Sequence, residues 1–332
     1  MLSVKENLLE TLKKDGKPDR LVNEWEPFAF LPVDPICAYT LGNRKPGVST
    51  RDRWGTLIVW PEGQVAGMPH VTEDDKVVPD ITRWREYAKA PDLAANCAEG
   101  WAAARAAARK AGDAGKLSMA FMSTGVFEQL HFLMGFEDTL MNFLLEPEAM
   151  HELCEYIGDY RLRYAKMLVG NMRPEVILSH DDWGSKTKMF MSPEIWREFI
   201  KPEYVKMYGY LKEQGVIIMH HADSFLEPIV GDMVELGIDI WQGALPENDI
   251  ARLQTETRGA LTFMGGIAAS AVDREDATEA EVRAEVLRAC NEYAPQGHFI
   301  PSATVGGPDD CFFAATYPRI ARAVDEYNAR TL

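Results

Sequence analysis

Seven short apolar runs recur along this 332-residue chain, and most end in polar or small residues. They are Leu21–Glu26, Leu117–Ser123, Glu175–Asp182, Val216–Asp223, Ile238–Gly243, Leu261–Ile267 and His298–Thr304. A strand buried on both faces reads as a continuous apolar run of this length. Helical patterns lie between the runs. Met150, Leu153, Cys154 and Ile157 keep helical spacing within Pro147–Val169. Ser192-Pro193-Glu194 offers an N-cap, a first-turn proline and an acidic first turn. The helix it opens runs to about Gln214, where Gly215 stops it. Phe225–Leu236, Glu279–Tyr293 and Asp309–Tyr327 read as further helices, and the alanine-rich Trp101–Arg109 is a strong helix former.

Strand followed by helix, repeated, produces a parallel sheet. The pattern predicts an α/β fold, a TIM-type (β/α)8 barrel whose eighth strand is not evident, in a single domain over residues 1–332. Residues 34–91 break the alternation. They are rich in Trp, Pro and Gly, as in Trp54-Gly55, Trp60-Pro61 and Gly67-Met68-Pro69-His70. This segment reads as an excursion after the first strand, over one end of the barrel.

The net charge of −16 argues against nucleic acid or an anionic membrane surface as a partner, since both reward clustered Lys and Arg. No apolar run approaches the ~18 residues of a membrane span. The N-terminus, Met1-Leu2-Ser3-Val4-Lys5-Glu6, lacks the apolar core of a secretion signal. The cysteines, Cys37, Cys97, Cys154, Cys290 and Cys311, are odd in number and form no C-x-x-C pair. That pattern disfavours a disulfide framework and an all-cysteine zinc site, and it makes the cytoplasm the expected location. A homodimer stays open.

In barrels of this kind the active site lies at the C-terminal strand ends. Here those ends carry Asn23, Glu24 and Glu26; Ser123-Thr124-Gly125; His180-Asp181-Asp182-Trp183-Gly184; His220-His221-Ala222-Asp223-Ser224; Trp241-Gln242-Gly243; Met264-Gly265-Gly266; and Ser302-Ala303-Thr304. Residues two apart on a strand share a face, which groups His221 with Asp223. Such a pair can hold a metal ion, bind a polar substrate or move protons. Two His–carboxylate clusters on consecutive strands make the rim a candidate site. The chain has no G-x-S-x-G elbow, no H-E-x-x-H, no nicotinamide fingerprint and no cysteine at a strand end. Metal-assisted or proton-transfer chemistry remains.

Ser179-His180-Asp181-Asp182-Trp183-Gly184, followed by Met191-Ser192-Pro193-Glu194 and Phe199-Ile200-Lys201-Pro202, resembles the uroporphyrinogen decarboxylase superfamily. The His220–Ser224 run, Ile238–Gln242, Phe263–Ile267, Ile300-Pro301 and an opening helix Asn7–Arg20 fall in the same order. The resemblance spans nearly the whole chain and implies a TIM-type barrel. Porphyrin decarboxylases carry an Arg-rich segment after the first strand. Asn23-Glu24-Trp25-Glu26-Pro27-Phe28 stands there instead, and its glutamates would repel a polyanion.

The chain looks more like the corrinoid-dependent methyltransferase branch, and within it the aryl-O-demethylase members. That resemblance implies a small aromatic methyl ether as methyl donor, a corrinoid protein as acceptor and Zn2+ as cofactor. The thiol-using members have an H-x-C…C zinc site; the matching positions here are His221, Asp223 and Ser302 or Thr304. The implied metal ligands are therefore His221, Asp223 and Ser302. Asp181, Asp182 and Glu24 are the candidate catalytic acids. Glu26, Trp25, Phe28, Trp183, His180 and Gln242 are the candidate substrate-binding residues, with Trp54 and Trp60 as further aromatic wall. The competing readings are a metal-free decarboxylase or lyase acting on a small acid, and a non-catalytic ligand-binding barrel.

Overall fold

The computed structural model describes every residue except Asn43, Val65, 94–99, 306–310 and Leu332. Ten strands are laid down in chain order: β1 (Phe28–Phe30), β2 (Ser49–Arg51), β3 (Leu57–Val59), β4 (Met68–Pro69), β5 (Leu117–Met122), β6 (Val176–His180), β7 (Ile217–His221), β8 (Ile240–Ala244), β9 (Thr262–Ile267) and β10 (Phe299–Ala303). Seven form one parallel sheet in the order β1-β5-β6-β7-β8-β9-β10. Sequential strands are spatial neighbours because a helix returns the chain after each one.

The sheet curls, and strand parity sorts its side chains into two layers. Met119, Leu178, Met219, Ile240, Met264 and Ile300 meet inside the curl. The alternate residues Ala120, Ile177, Ile218, Trp241, Phe263 and Phe299 face the helices. This is the TIM-type α/β architecture. Among the described residues no ladder joins β1 to β10. The chain just before β1 covers that seam: Leu21 donates its N–H to Asn328 Oδ1 at 2.9 Å, and the Trp25 indole donates to the Tyr317 hydroxyl at 3.1 Å.

The first strand departs from the sequence expectation. Leu21–Glu26 joins no ladder, and the strand falls at Phe28–Phe30. Glu24 adopts φ +47°, outside the β region, and the Glu26 and Phe28 N–H groups close turns on the Asn23 and Trp25 carbonyls at 3.0 Å each. The opening helix is also shorter, Val4–Leu12, fixed by a Ser3–Glu6 capping box. The last helix is Thr316–Thr331 rather than Asp309–Tyr327, whose first two residues lie outside the described ones. Between Phe225 and Leu236 the chain forms a 3-10 turn, Glu227–Ile229, and a helix, Val230–Glu235.

The excursion holds a small antiparallel sheet, β2-β3-β4. Trp54 packs edge-on against Tyr156 and Tyr160, with ring centroids 6.4 and 5.1 Å away. The Val77 and Val78 N–H groups bond the Leu133 carbonyl. These contacts lay the segment against the helices Val126–Met134 and Pro147–Met172. No described helix is long and apolar enough to cross a membrane.

Candidate metal centre

The inner apolar positions of β6 and β7 lead by parity to His180 and His221. Val176 and Leu178 lie inside the curl, so His180 continues that face; Met219 places His221 in the same way. The ladder sets the two histidines opposite one another. Their rings stack at 4.4 Å with an interplanar angle of 25°. Asp182, two residues after His180, completes a group. One ligand atom from each of His180, Asp182 and His221 lies within 4.8 Å of the others.

Each ring is held at Nδ1. His180 Nδ1 bonds Glu128 Oε2 at 3.1 Å, and His221 Nδ1 bonds Gln242 Oε1. Gln242 donates its amide N–H to the Val305 carbonyl at 2.7 Å, which leaves Oε1 as the atom facing His221. His221 therefore carries its proton on Nδ1, and both Nε2 atoms are left for a ligand. A bulge beside Gly243, at φ +88°, sets the direction of Gln242 on β8. Glu128 sits in the first turn of the Val126–Met134 helix and also accepts the Gly125 N–H at 3.0 Å. Outer partners of this kind fix ring orientation and tune a metal-binding histidine.

Electrostatics mark the same spot. Burial penalises both ions of the His180–Glu128 pair, yet their mutual attraction prevails. His180 is raised and Glu128 lowered from their usual ranges. Burial, with His180 beside it, drives His221 down to about 3. Burial pushes Asp182 up to about 8, helped by the Glu128 and Asp223 carboxylates and opposed by His180. Negative charge is crowded here in a way a cation relieves. Two imidazoles and a carboxylate, with no sulfur, fit a borderline divalent ion such as zinc. Binding would displace the His180 proton, because only the neutral ring ligates.

The other expected ligands stand apart from this group. β7 ends at His221, so strand parity is not held as far as Asp223. Asp223 is exposed; its backbone N–H donates to Asp182 Oδ1 at 3.1 Å, and its carboxylate acts on Asp182 as a neighbouring charge. Ser302 lies buried on β10, where its hydroxyl donates to the Ala303 carbonyl at 3.3 Å. Glu24 is buried in the seam beside Ser302 and the Ala303 backbone. Burial raises its carboxyl strongly despite those two groups, and its Oε2 has no partner among the described residues.

Asp181, expected as a catalytic acid, is held within the scaffold. It is fully buried and accepts four hydrogen bonds: from the Phe127 and Glu128 N–H groups at 3.1 and 2.9 Å, the Trp183 indole at 2.8 Å and the Tyr204 hydroxyl at 2.6 Å. It thereby caps the helix that carries Glu128. Gly125 is needed for this approach, since a Cβ there would fall 1.9 Å from the Asp181 carboxyl carbon.

Trp183, expected in the substrate wall, is enclosed by packing. It is fully buried, stacks on His220 at 4.1 Å and meets Trp196 and Tyr204 edge-on. Trp25 and Phe28 belong to the inner apolar cluster, Trp54 packs on tyrosines of the Pro147–Met172 helix, and Glu26 is exposed in the turn before β1. Trp60 is half-buried and donates its indole N–H to the Gln64 carbonyl at 2.9 Å.

Two aromatics escaped the sequence reading. Phe121 follows Leu117 and Met119 on the inner face of β5, is 39 % exposed, and stands edge-on to His180 with centroids 6.2 Å apart. Phe30, 42 % exposed, packs on Trp25 at 5.2 Å. Strand parity would have found Phe121. Glu128 was signalled by its place three residues after Gly125, ahead of an apolar helix.

The model of the family described as Uroporphyrinogen decarboxylase (URO-D) matches residues 55–307. No curated protein sequence matches the chain. Among solved structures, a methyltransferase from Methanosarcina mazei is similar in fold, with a TM-score of 0.63 and 14 % identity, over 98 % of this chain and 99 % of that one. The match covers most of the chain, including β5–β10 and every residue of the His180–Asp182–His221 group, so the protein belongs to the uroporphyrinogen decarboxylase family.

Proposed function

We propose that this protein is a zinc-dependent methyltransferase that takes the methyl group from a methoxylated aromatic and passes it to a corrinoid protein. The observation that carries the reading is the His180–Asp182–His221 group, with each ring locked at Nδ1. The likeness in fold to a methyltransferase supports it. His180, Asp182 and His221 would hold the ion. When bound, zinc supplies a Lewis acid for the ether oxygen as that oxygen gains charge. Glu128 and Gln242 keep the two rings aimed. Phe121 offers an aromatic edge beside the group for the methoxylated ring.

The methyl acceptor comes from outside the chain. Cys37, Cys154 and Cys290 are buried, and burial raises their thiols, so none offers a thiolate. The carboxylates Glu128, Asp182 and Asp223 crowd the mouth, which disfavours the decarboxylase reading with a small anionic acid.

The test is metal analysis of purified protein together with a methyl-transfer assay using Co(I) cobalamin and a methoxyarene. Stoichiometric zinc, with loss of the ether's methyl group to cobalt, is expected. Turnover by metal-free protein would remove the zinc assignment; zinc without transfer from any methyl ether would remove the substrate assignment.

A further inference from the structure

We propose that the opposite end of the barrel carries an oxyanion cleft that binds a phosphate-bearing small molecule. The cleft is open to solvent and has a volume of about 590 Å³, between the helices Val4–Leu12, Trp101–Asp113 and Pro147–Met172. Ser118 and Glu175 line it, which places it at the N-terminal ends of β5 and β6. The candidate metal centre is at the C-terminal ends of β6 and β7, so the two sites are separate.

Four cations, Lys5, Arg105, Arg109 and Arg173, line this cleft against one carboxylate, Glu175. Glu175 is already engaged: Oε1 accepts Lys5 Nζ at 2.6 Å and Oε2 accepts the Ser118 N–H at 3.1 Å. Arg105, Arg109 and Arg173 are exposed, and among the described residues none has an ion pair or a side-chain hydrogen bond. That is unusual on a chain with 51 acidic and 35 basic side chains. Elsewhere the arginines mostly find carboxylates, as Arg197 does with Asp232 and Arg283 with Glu326. Arg105 and Arg109 are four apart on one helix face, where like charges repel. Arg173, in the left-handed conformation at φ +48°, caps the long helix where the chain turns toward β6.

Unpaired guanidinium forks converging on one cleft suit an oxyanion, because each fork donates two parallel N–H groups to it. The excess of three positive charges favours a multiply charged phosphate over a single carboxylate. A free di- or polyphosphate and a nucleoside diphosphate share this chemistry. The inference is independent of what happens at the barrel mouth.

The experiment is calorimetric titration of the full chain with pyrophosphate and, separately, ADP at two salt concentrations. Saturable binding tighter than about 1 mM is expected, weakening as salt rises. The double variant R105A/R109A should weaken it at least ~10-fold, with the fold preserved because alanine favours this helix. Glu175→Gln should tighten it, since it removes the one carboxylate that lines the cleft among the described residues. Arg258, an exposed arginine outside the cleft with no ion pair, is the control, and Arg258→Ala should change nothing. Equal affinity for both probes would assign the site to phosphate alone; tighter ADP binding would assign a nucleotide. Absence of saturation up to about 10 mM, or equal losses in R105A/R109A and Arg258→Ala, overturns the proposal.

Discussion

The inner and outer faces of β6 and β7 carry nearly the same residue types and put them to opposite uses. Inside, His180 and His221 stack, and each keeps a ligand atom within 4.8 Å of one on Asp182. Outside, His220 bonds the Tyr208 hydroxyl through Nδ1 at 2.7 Å and stacks on Trp183, while Asp181 takes four hydrogen bonds. The outer set is sealed in the layer between sheet and helices, where only His220 Nε2 among these atoms has no partner among the described residues. The inner set opens to the barrel mouth and keeps ligand atoms in reserve. Adjacent residues in one motif are thus scaffold and site by turns, because successive strand residues face opposite ways.

The comparison breaks most sharply at His221. His221→Ala should abolish stoichiometric zinc and methyl transfer while the protein stays folded, checked by elemental analysis and circular dichroism. Retained zinc would mean that the inner group is not the metal centre.

Asp181→Ala should do the reverse. It strands four donors in the core, and a loss of roughly 3–5 kcal/mol in denaturant unfolding is expected, with zinc still bound by the folded fraction. Asp181→Asn, which keeps one acceptor oxygen, should lose less. A fully stable Asp181→Ala that lacks activity would return Asp181 to the catalytic machinery.

Glu128→Gln tests the link between the two faces, since its helix is capped by Asp181 and its side chain holds His180. Zinc affinity should fall about 10–100-fold in competition with a chelator, with little change in unfolding free energy. The smallest effect is expected at Phe121. Phe121→Ala should raise KM for a methoxyarene by about 1 kcal/mol, roughly fivefold, and leave kcat and zinc unchanged.

Much of this was legible in the chain. Six of the seven apolar runs coincide with six strands of the sheet, since continuous burial on both faces leaves a continuous apolar run. The seventh, Leu21–Glu26, failed because its turn depends on the left-handed Glu24 in the seam, a position that no local pattern reveals. His180, Asp182, His221 and Gln242 were all singled out, His221 as a ligand and the other three in other roles. His180 and Asp182 join His221 in the group, whereas Asp223 and Ser302 stand outside it. Asp223 lies past the end of β7, where the two-residue alternation of a strand no longer holds. The resemblance to thiol-using relatives pointed to the same two positions.

By itself the sequence determined the alternation of strand and helix, the polar strand ends and the family, because these follow from periodicity and local motif. Only the tertiary structure decided which polar residues face the mouth, which carboxylate holds each imidazole and where Asp181 finds its four donors. Those outcomes depend on strand ends, on a bulge at Gly243 and on a helix N-terminus brought over the sheet from more than fifty residues away in the chain. Short-range spacing cannot encode them, since the partners meet only after the sheet has curled.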